Sequence, residues 1–196
     1  MKKGRLEAFS DGVIAIIITI MVLELRVPTG TDVTALAPLL PVFLSYVLSF
    51  VFVGIYWNNH HHLFQAVEQV NGKILWANLH LLFWLSLVPF VTNWMGENES
   101  APWPIALYGL VLLLAGFAYF LLSRALLSSH DQESALVAAI GQDIKGNFSL
   151  ALYILAIPFA FVNVWISRVF FVTVAVMWLI PDPRIERALS EQKTGS

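Results

Sequence analysis

Residues 5–26, RLEAFSDGVIAIIITIMVLELR, decide how this chain is read. The stretch opens on charge, places Ser10 and Asp11 early, and then runs apolar from Val13 to Leu23 around a single threonine, Thr19. As an α-helix, Arg5 to Glu24 covers roughly 28 Å, close to the thickness of a bilayer core. At about 100° per residue, Arg5, Phe9, Gly12, Ile16, Thr19 and Leu23 fall on one stripe, and Ser10 and Asp11 point well away from it. One stripe is therefore almost wholly apolar and broken by one hydroxyl, and a different face carries the carboxylate.

The rest of the composition agrees. The 196 residues are 58% apolar and 12% charged, against about 45–50% and about 25% in soluble proteins. One soluble domain of this size could not hide so much apolar surface, which points to an integral membrane protein. The net charge of −2 says little, and the absence of cysteine removes disulfides and thiol chemistry. Lys2, Lys3 and Arg5 before an apolar run imitate a signal peptide. However, Ser10-Asp11 stands at the start of the run and residues 23–28, LELRVP, offer no small-residue cleavage site, so a retained first helix is expected.

Further along, residues 28–32 form a turn-rich loop, and Pro38 and Pro41 suit the first turn of a second helix. That helix runs charge-free from about Leu39 to Trp57 or beyond, and Asn58 to His62 cap it with polarity. Glu68 to Lys73 is a polar turn. A third helix, Ile74 to Met95, is interrupted by Asn78, His80 and Pro89. An acidic loop follows, and then a fourth helix to Leu127 in which Gly109 and Gly116 favour close helix approach. Residues 128–145 are the longest polar connection, with room for a short surface helix over 135–140. The apolar region 148–180 is too long for one span of about 20 residues, and is split at Asn163–Arg168. The tail from Arg184 is polar and expected to be mobile.

The expected architecture is an all-α integral membrane domain of six transmembrane helices, spanning approximately 5–26, 38–62, 74–95, 104–127, 146–162 and 165–181. Six spans put both termini on one side together with nine of the eleven basic residues; only Arg26 and Arg168 fall opposite. That excess places the termini in the cytoplasm, in the cell's inner (plasma) membrane.

Arg5-x-x-x-Phe9-Ser10-Asp11 leading into an Ile/Thr-rich helix resembles the signature of the transmembrane protein 175 family, endolysosomal potassium channels with shorter bacterial relatives. The resemblance continues at Tyr56-Trp57-Asn58-Asn59-His60-His61 and at Asn78-Leu79-His80. It implies a homotetramer whose first helices line a central pore for K⁺. Carried onto matching positions, it implies Ile16 as the narrowest ring, Thr19 and Leu23 as further layers, and Gly12 and Ile20 on the same lining.

The sequence has no Thr-Val-Gly-Tyr-Gly filter, so backbone oxygens are not expected to replace the ion's hydration shell; the apolar ring that the resemblance implies would block by dewetting when narrow, with modest preference for K⁺ over Na⁺. Asp11 near a membrane helix start needs a partner. Arg5, Trp57, Asn58, His61 and its neighbouring histidines, and His80 are the candidates, in a structural clamp that also draws on Phe9, Ser10 and Asn78. Three adjacent histidines diverge by about 100° each and do not converge on one metal ion. The seven tryptophans suit interfacial anchoring, and Glu97 and Glu99 read as a solvated loop. No nucleotide motif is present, and neither a cofactor nor a nucleic-acid partner is implied. The rival readings are a secondary or proton-coupled transporter and, more distantly, a membrane metal hydrolase using Asp11 and the histidines.

Overall fold

The structure, a computed structural model, describes residues 3–65, 70–128 and 144–179. The first helix, α1, spans Lys3–Leu23, with no proline before Pro28 to interrupt it. It buries Leu6, Ser10, Ile14, Ile17 and Met21, a stripe at helical spacing opposite the one read from the sequence. The helix stops at Leu23, so Glu24–Arg26 lie beyond it rather than inside the span.

A 3₁₀ segment, Val33–Leu39, takes up Pro38, and α2, Leu40–Gln65, begins only then with Pro41 in its first turn. Residues 58–62, the polar end of the expected span 38–62, are uninterrupted helix, and α2 runs on to Gln65. Its 26 residues give roughly 39 Å, long enough to cross a bilayer and project beyond it.

The third apolar region divides into α3, Gly72–Ser86, and α4, Val88–Glu97. Asn71 starts α3 by accepting the Ile74 N–H on its side-chain oxygen at 3.0 Å. Neither Asn78 nor His80 interrupts the helix. The break is at Leu87, two residues before Pro89, which cannot donate a backbone hydrogen bond.

The helix α5, Pro102–Leu127, carries prolines in its first turn, where the missing N–H costs nothing. The last two helices, α6 (Ile144–Phe159) and α7 (Val164–Leu179), form a hairpin. The Asn163 side chain accepts the Trp165 N–H at 2.9 Å and starts α7. The split expected at Asn163–Arg168 therefore lies slightly earlier, and Ser167 and Arg168 belong to α7. The polar connection over 129–143, with its expected surface helix, and the tail from 180 lie outside the described residues.

Among the described residues, four rods, counting α3 with α4 as one, are long and apolar enough to cross a membrane, and the described parts of α6 and α7 have 16 residues each. The helix α5 is central, touching α3, α4, α6 and α7, whereas α1 lies on α2, α3 and α4. Glycines set the closest approaches. A Cβ on Gly109 would stand 3.1 Å from the Phe171 ring, one on Gly116 would stand 3.1 Å from Leu150, and one on Gly96 would stand 2.8 Å from the Val42 backbone. Outward-facing Phe43, Phe83, Phe90, Phe117 and Val169 form an apolar exterior suited to lipid.

A candidate pore helix and its polar anchors

Two opposite faces define α1. On one, Ser10 is completely buried. Its hydroxyl donates to the Leu6 carbonyl at 2.9 Å and accepts from the Asn78 side-chain amide at 2.9 Å. The Asn78 oxygen in turn lies 2.8 Å from His60 Nε2, which must donate to it. Three helices, α1, α3 and α2, are thus tied at one buried point through Ser10, Asn78 and His60. The His60 ring lies against Phe64 with centroids 4.5 Å apart. An unpaired polar group in a membrane interior is costly, so a closed chain of hydrogen bonds holds these helices in register.

One residue along α1, Asp11 accepts a hydrogen bond from the Trp57 indole N–H at 3.0 Å, a second tie to α2. Of the partners proposed for Asp11, the structure selects Trp57. Arg5, Phe9 and Asn58 are exposed. His61 bonds to Gln65 at 2.8 Å and stacks on Trp57, outside the buried chain. His80 accepts from Trp84 one turn later in α3. The histidine inside the chain is therefore His60, and the buried stripe Ser45, Ser49, Phe52 of α2, continued at helical spacing, reaches that residue.

The opposite face of α1 presents Gly12, Ile16, Thr19, Ile20 and Leu23, all exposed in the single chain. Ile16 is 57% and Leu23 80% exposed, and a Cβ on Gly12 would meet nothing within 4 Å. Thr19 Oγ donates to the Ile16 carbonyl at 2.8 Å. Its only proton is committed to its own helix, so the oxygen turns lone pairs outward.

The far end of α1 is also fastened. Glu24 accepts from the Asn93 amide at 3.2 Å, and Arg26 forms an ion pair with Glu97 at 2.7 Å. Glu97, read from the sequence as a solvated loop residue, is thus engaged. A further buried set joins α2, α4 and α5: Tyr108 lies 3.0 Å from Ser49, Ser49 lies 2.7 Å from Thr92, and Thr92 lies 2.6 Å from the Val88 carbonyl. The sequence reading missed this set; its signal was two serines, Ser45 and Ser49, on one stripe of an otherwise apolar helix. Among the described residues, no group of three or more His, Asp or Glu side chains is placed to hold a metal ion.

The family model described as "Endosomal/lysosomal potassium channel TMEM175" matches residues 5–89, which hold α1, α2, α3 and the start of α4. A protein of Chryseobacterium sp. (strain P1-3), named a potassium channel, is 54% identical over 191 residues, spanning 97% of this chain and all of that one. The chain belongs to the TMEM175 family. A potassium channel of Chamaesiphon minutus is 32% identical to this TMEM175 protein over 180 residues, covering 84% of this chain and 87% of that one. A solved structure, described as a lysosomal potassium-selective channel TMEM175 homolog from the same organism, superimposes with a TM-score of 0.78. The sequences are 30% identical there, and the match covers 90% of this chain and 96% of that one. The family is one of ion channels, not enzymes, and this member is a membrane protein.

Proposed function

We propose that the chain is the subunit of a homotetrameric K⁺ channel with modest preference over Na⁺. Its four α1 helices surround a water path, and Ile16 forms the narrowest ring. One observation carries the reading: α1 leaves the face with Ile16, Thr19 and Leu23 uncovered while its other face is fixed by packing and hydrogen bonds. The names of the bacterial relatives and of the solved homologue support K⁺ as the permeant ion. The position of basic residues supports insertion in the inner membrane with both termini in the cytoplasm.

An apolar ring blocks by dewetting when narrow and conducts when slightly wider. An ion crossing it sheds part of its water, and K⁺, more weakly hydrated than Na⁺, does so at lower cost. The Thr19 oxygens, with lone pairs directed outward, compensate for part of that loss. The chain has no cysteine, so Ile16→Cys supplies a single thiol. In vesicles loaded with K⁺, a bulky water-soluble thiol reagent is expected to stop flux through this variant and leave the wild type untouched. Flux that persists in the variant after complete labelling contradicts the pore assignment, as does a thiol that stays unreactive while ions flow.

A further inference from the structure

The segment that leaves α1 does not close flush against α2 and α4. Between residues 24–28, the 3₁₀ segment, the first turn of α2 and the end of α4 lies a cavity of about 550 Å³, a size that takes a small amphiphile. Its walls are mainly apolar, with Val27, Leu36, Leu40 and Phe43 among them. Leu40 and Phe43 also belong to an exposed stripe of α2 that continues through Val47 and Phe50. From Leu40 to Phe50 the stripe covers roughly 15 Å, the hydrocarbon depth of one leaflet. An apolar chain can therefore pass from the cavity onto the flank of α2 without leaving an apolar surface.

The polar side chains of the lining gather where α4 meets the end of α1. Asn93 and Glu97, one turn apart on α4, hold Glu24 and Arg26 at 3.2 and 2.7 Å. Arg26 is committed to Glu97, whereas Glu24 has no ion-pair partner among the described residues. A carboxylate only accepts, so the Asn93 nitrogen must face Glu24 and its oxygen turns away. That oxygen is closed to solvent and meets no donor among the described residues, a costly omission for a buried acceptor. The rim thus offers one unmatched carboxylate, one acceptor in want of a donor, and a guanidinium with more donors than Glu97 uses.

From this we infer that the cavity is a binding site for phosphatidylethanolamine of the leaflet at this end of α1. An acyl chain fills the apolar cavity and follows the α2 stripe. The primary ammonium sits on Glu24 and, with a small turn of the Asn93 side chain, gives its oxygen a donor. The phosphate lies on Arg26. The quaternary ammonium of phosphatidylcholine has no N–H to give, so that lipid suits the cavity but not its rim. An anionic headgroup meets two carboxylates against one cation. The inference needs the membrane setting and not the pore assignment.

The test uses the whole channel in phosphatidylcholine vesicles doped with photoreactive phosphatidylethanolamine or, in parallel, photoreactive phosphatidylcholine of the same chains. After illumination, peptide mapping is expected to find the phosphatidylethanolamine label within residues 24–50, several-fold stronger there than the phosphatidylcholine label. Glu24→Gln is expected to abolish that difference, and Leu36→Trp, which fills the cavity, is expected to lower labelling by both lipids. Should Glu24→Gln fail to assemble, the wild-type map and Leu36→Trp decide. Label confined to other segments, equal labelling by the two lipids, a preference retained in Glu24→Gln, or full competition by soluble phosphoethanolamine overturns the site. Protection of residues 24–50 from both lipids overturns it too, and leaves a second copy of the chain as the occupant.

Discussion

The two faces of α1 differ in what they demand of their residues. The inner face places Ile14, Ile17 and Met21 against α2, α3 and α4 and closes the Ser10–Asn78–His60 chain. Almost any change there leaves a void or an unpaired polar atom. The outer face makes few demands of the single chain, since Ile16, Thr19 and Leu23 touch little within it. Under the proposed pore assignment, stability and conduction fall on opposite sides of one helix, and substitutions should separate them.

The largest stability effect is expected from Asn78→Leu, which keeps the approximate bulk but leaves both Ser10 and His60 without their partner. A loss of about 3 kcal/mol is expected, read as a lower midpoint of thermal unfolding followed by tryptophan fluorescence in detergent. A midpoint equal to that of the wild type would remove the buried chain from the account of the fold. Asp11→Ala should cost less, about 1 kcal/mol, because the Trp57 pair lies at the surface. That variant is also expected to assemble poorly or gate abnormally, and normal assembly with normal currents would show that the tie is dispensable. Thr19→Ala sits at the far end of the scale. Its stability should stay within about 0.5 kcal/mol of wild type, while the K⁺/Na⁺ permeability ratio from reversal potentials should fall. An unchanged ratio would release the hydroxyl from any part in selection.

Much of this division was legible in the sequence, because periodicity reports faces directly. The stripe through Ile16, Thr19 and Leu23, the tandem glycines of α5 and the division near Asn163 all follow from spacing and turn chemistry. The partner of Asp11 was narrowed to a short set that included Trp57. What periodicity cannot report is which of several adjacent polar residues turns inward when a helix runs past its apolar stretch. Residues 58–62 fall at the polar end of the expected span, and their order along the helix does not choose His60 over His61. The break at Leu87 was displaced for a related reason: Pro89 marks a helix start here, and its effect falls on the residues before it. The Ser49–Tyr108–Thr92 set joins residues from three helices, so only the tertiary arrangement could have assembled it.

The fastenings at the two ends of α1 have a mechanical consequence. Near one end Ser10 and Asp11 hold α3 and α2, and beyond the other Glu24 and Arg26 hold α4. A piston stroke of one helical turn, about 5.4 Å, would tear all four ties. Torsion of the intervening rod can leave them intact while it swings Ile16 and Thr19 around the axis. In the pore proposed above, a change of bore is therefore a problem of twist, and the stiffness that opposes it resides in the dozen residues between Asp11 and Glu24.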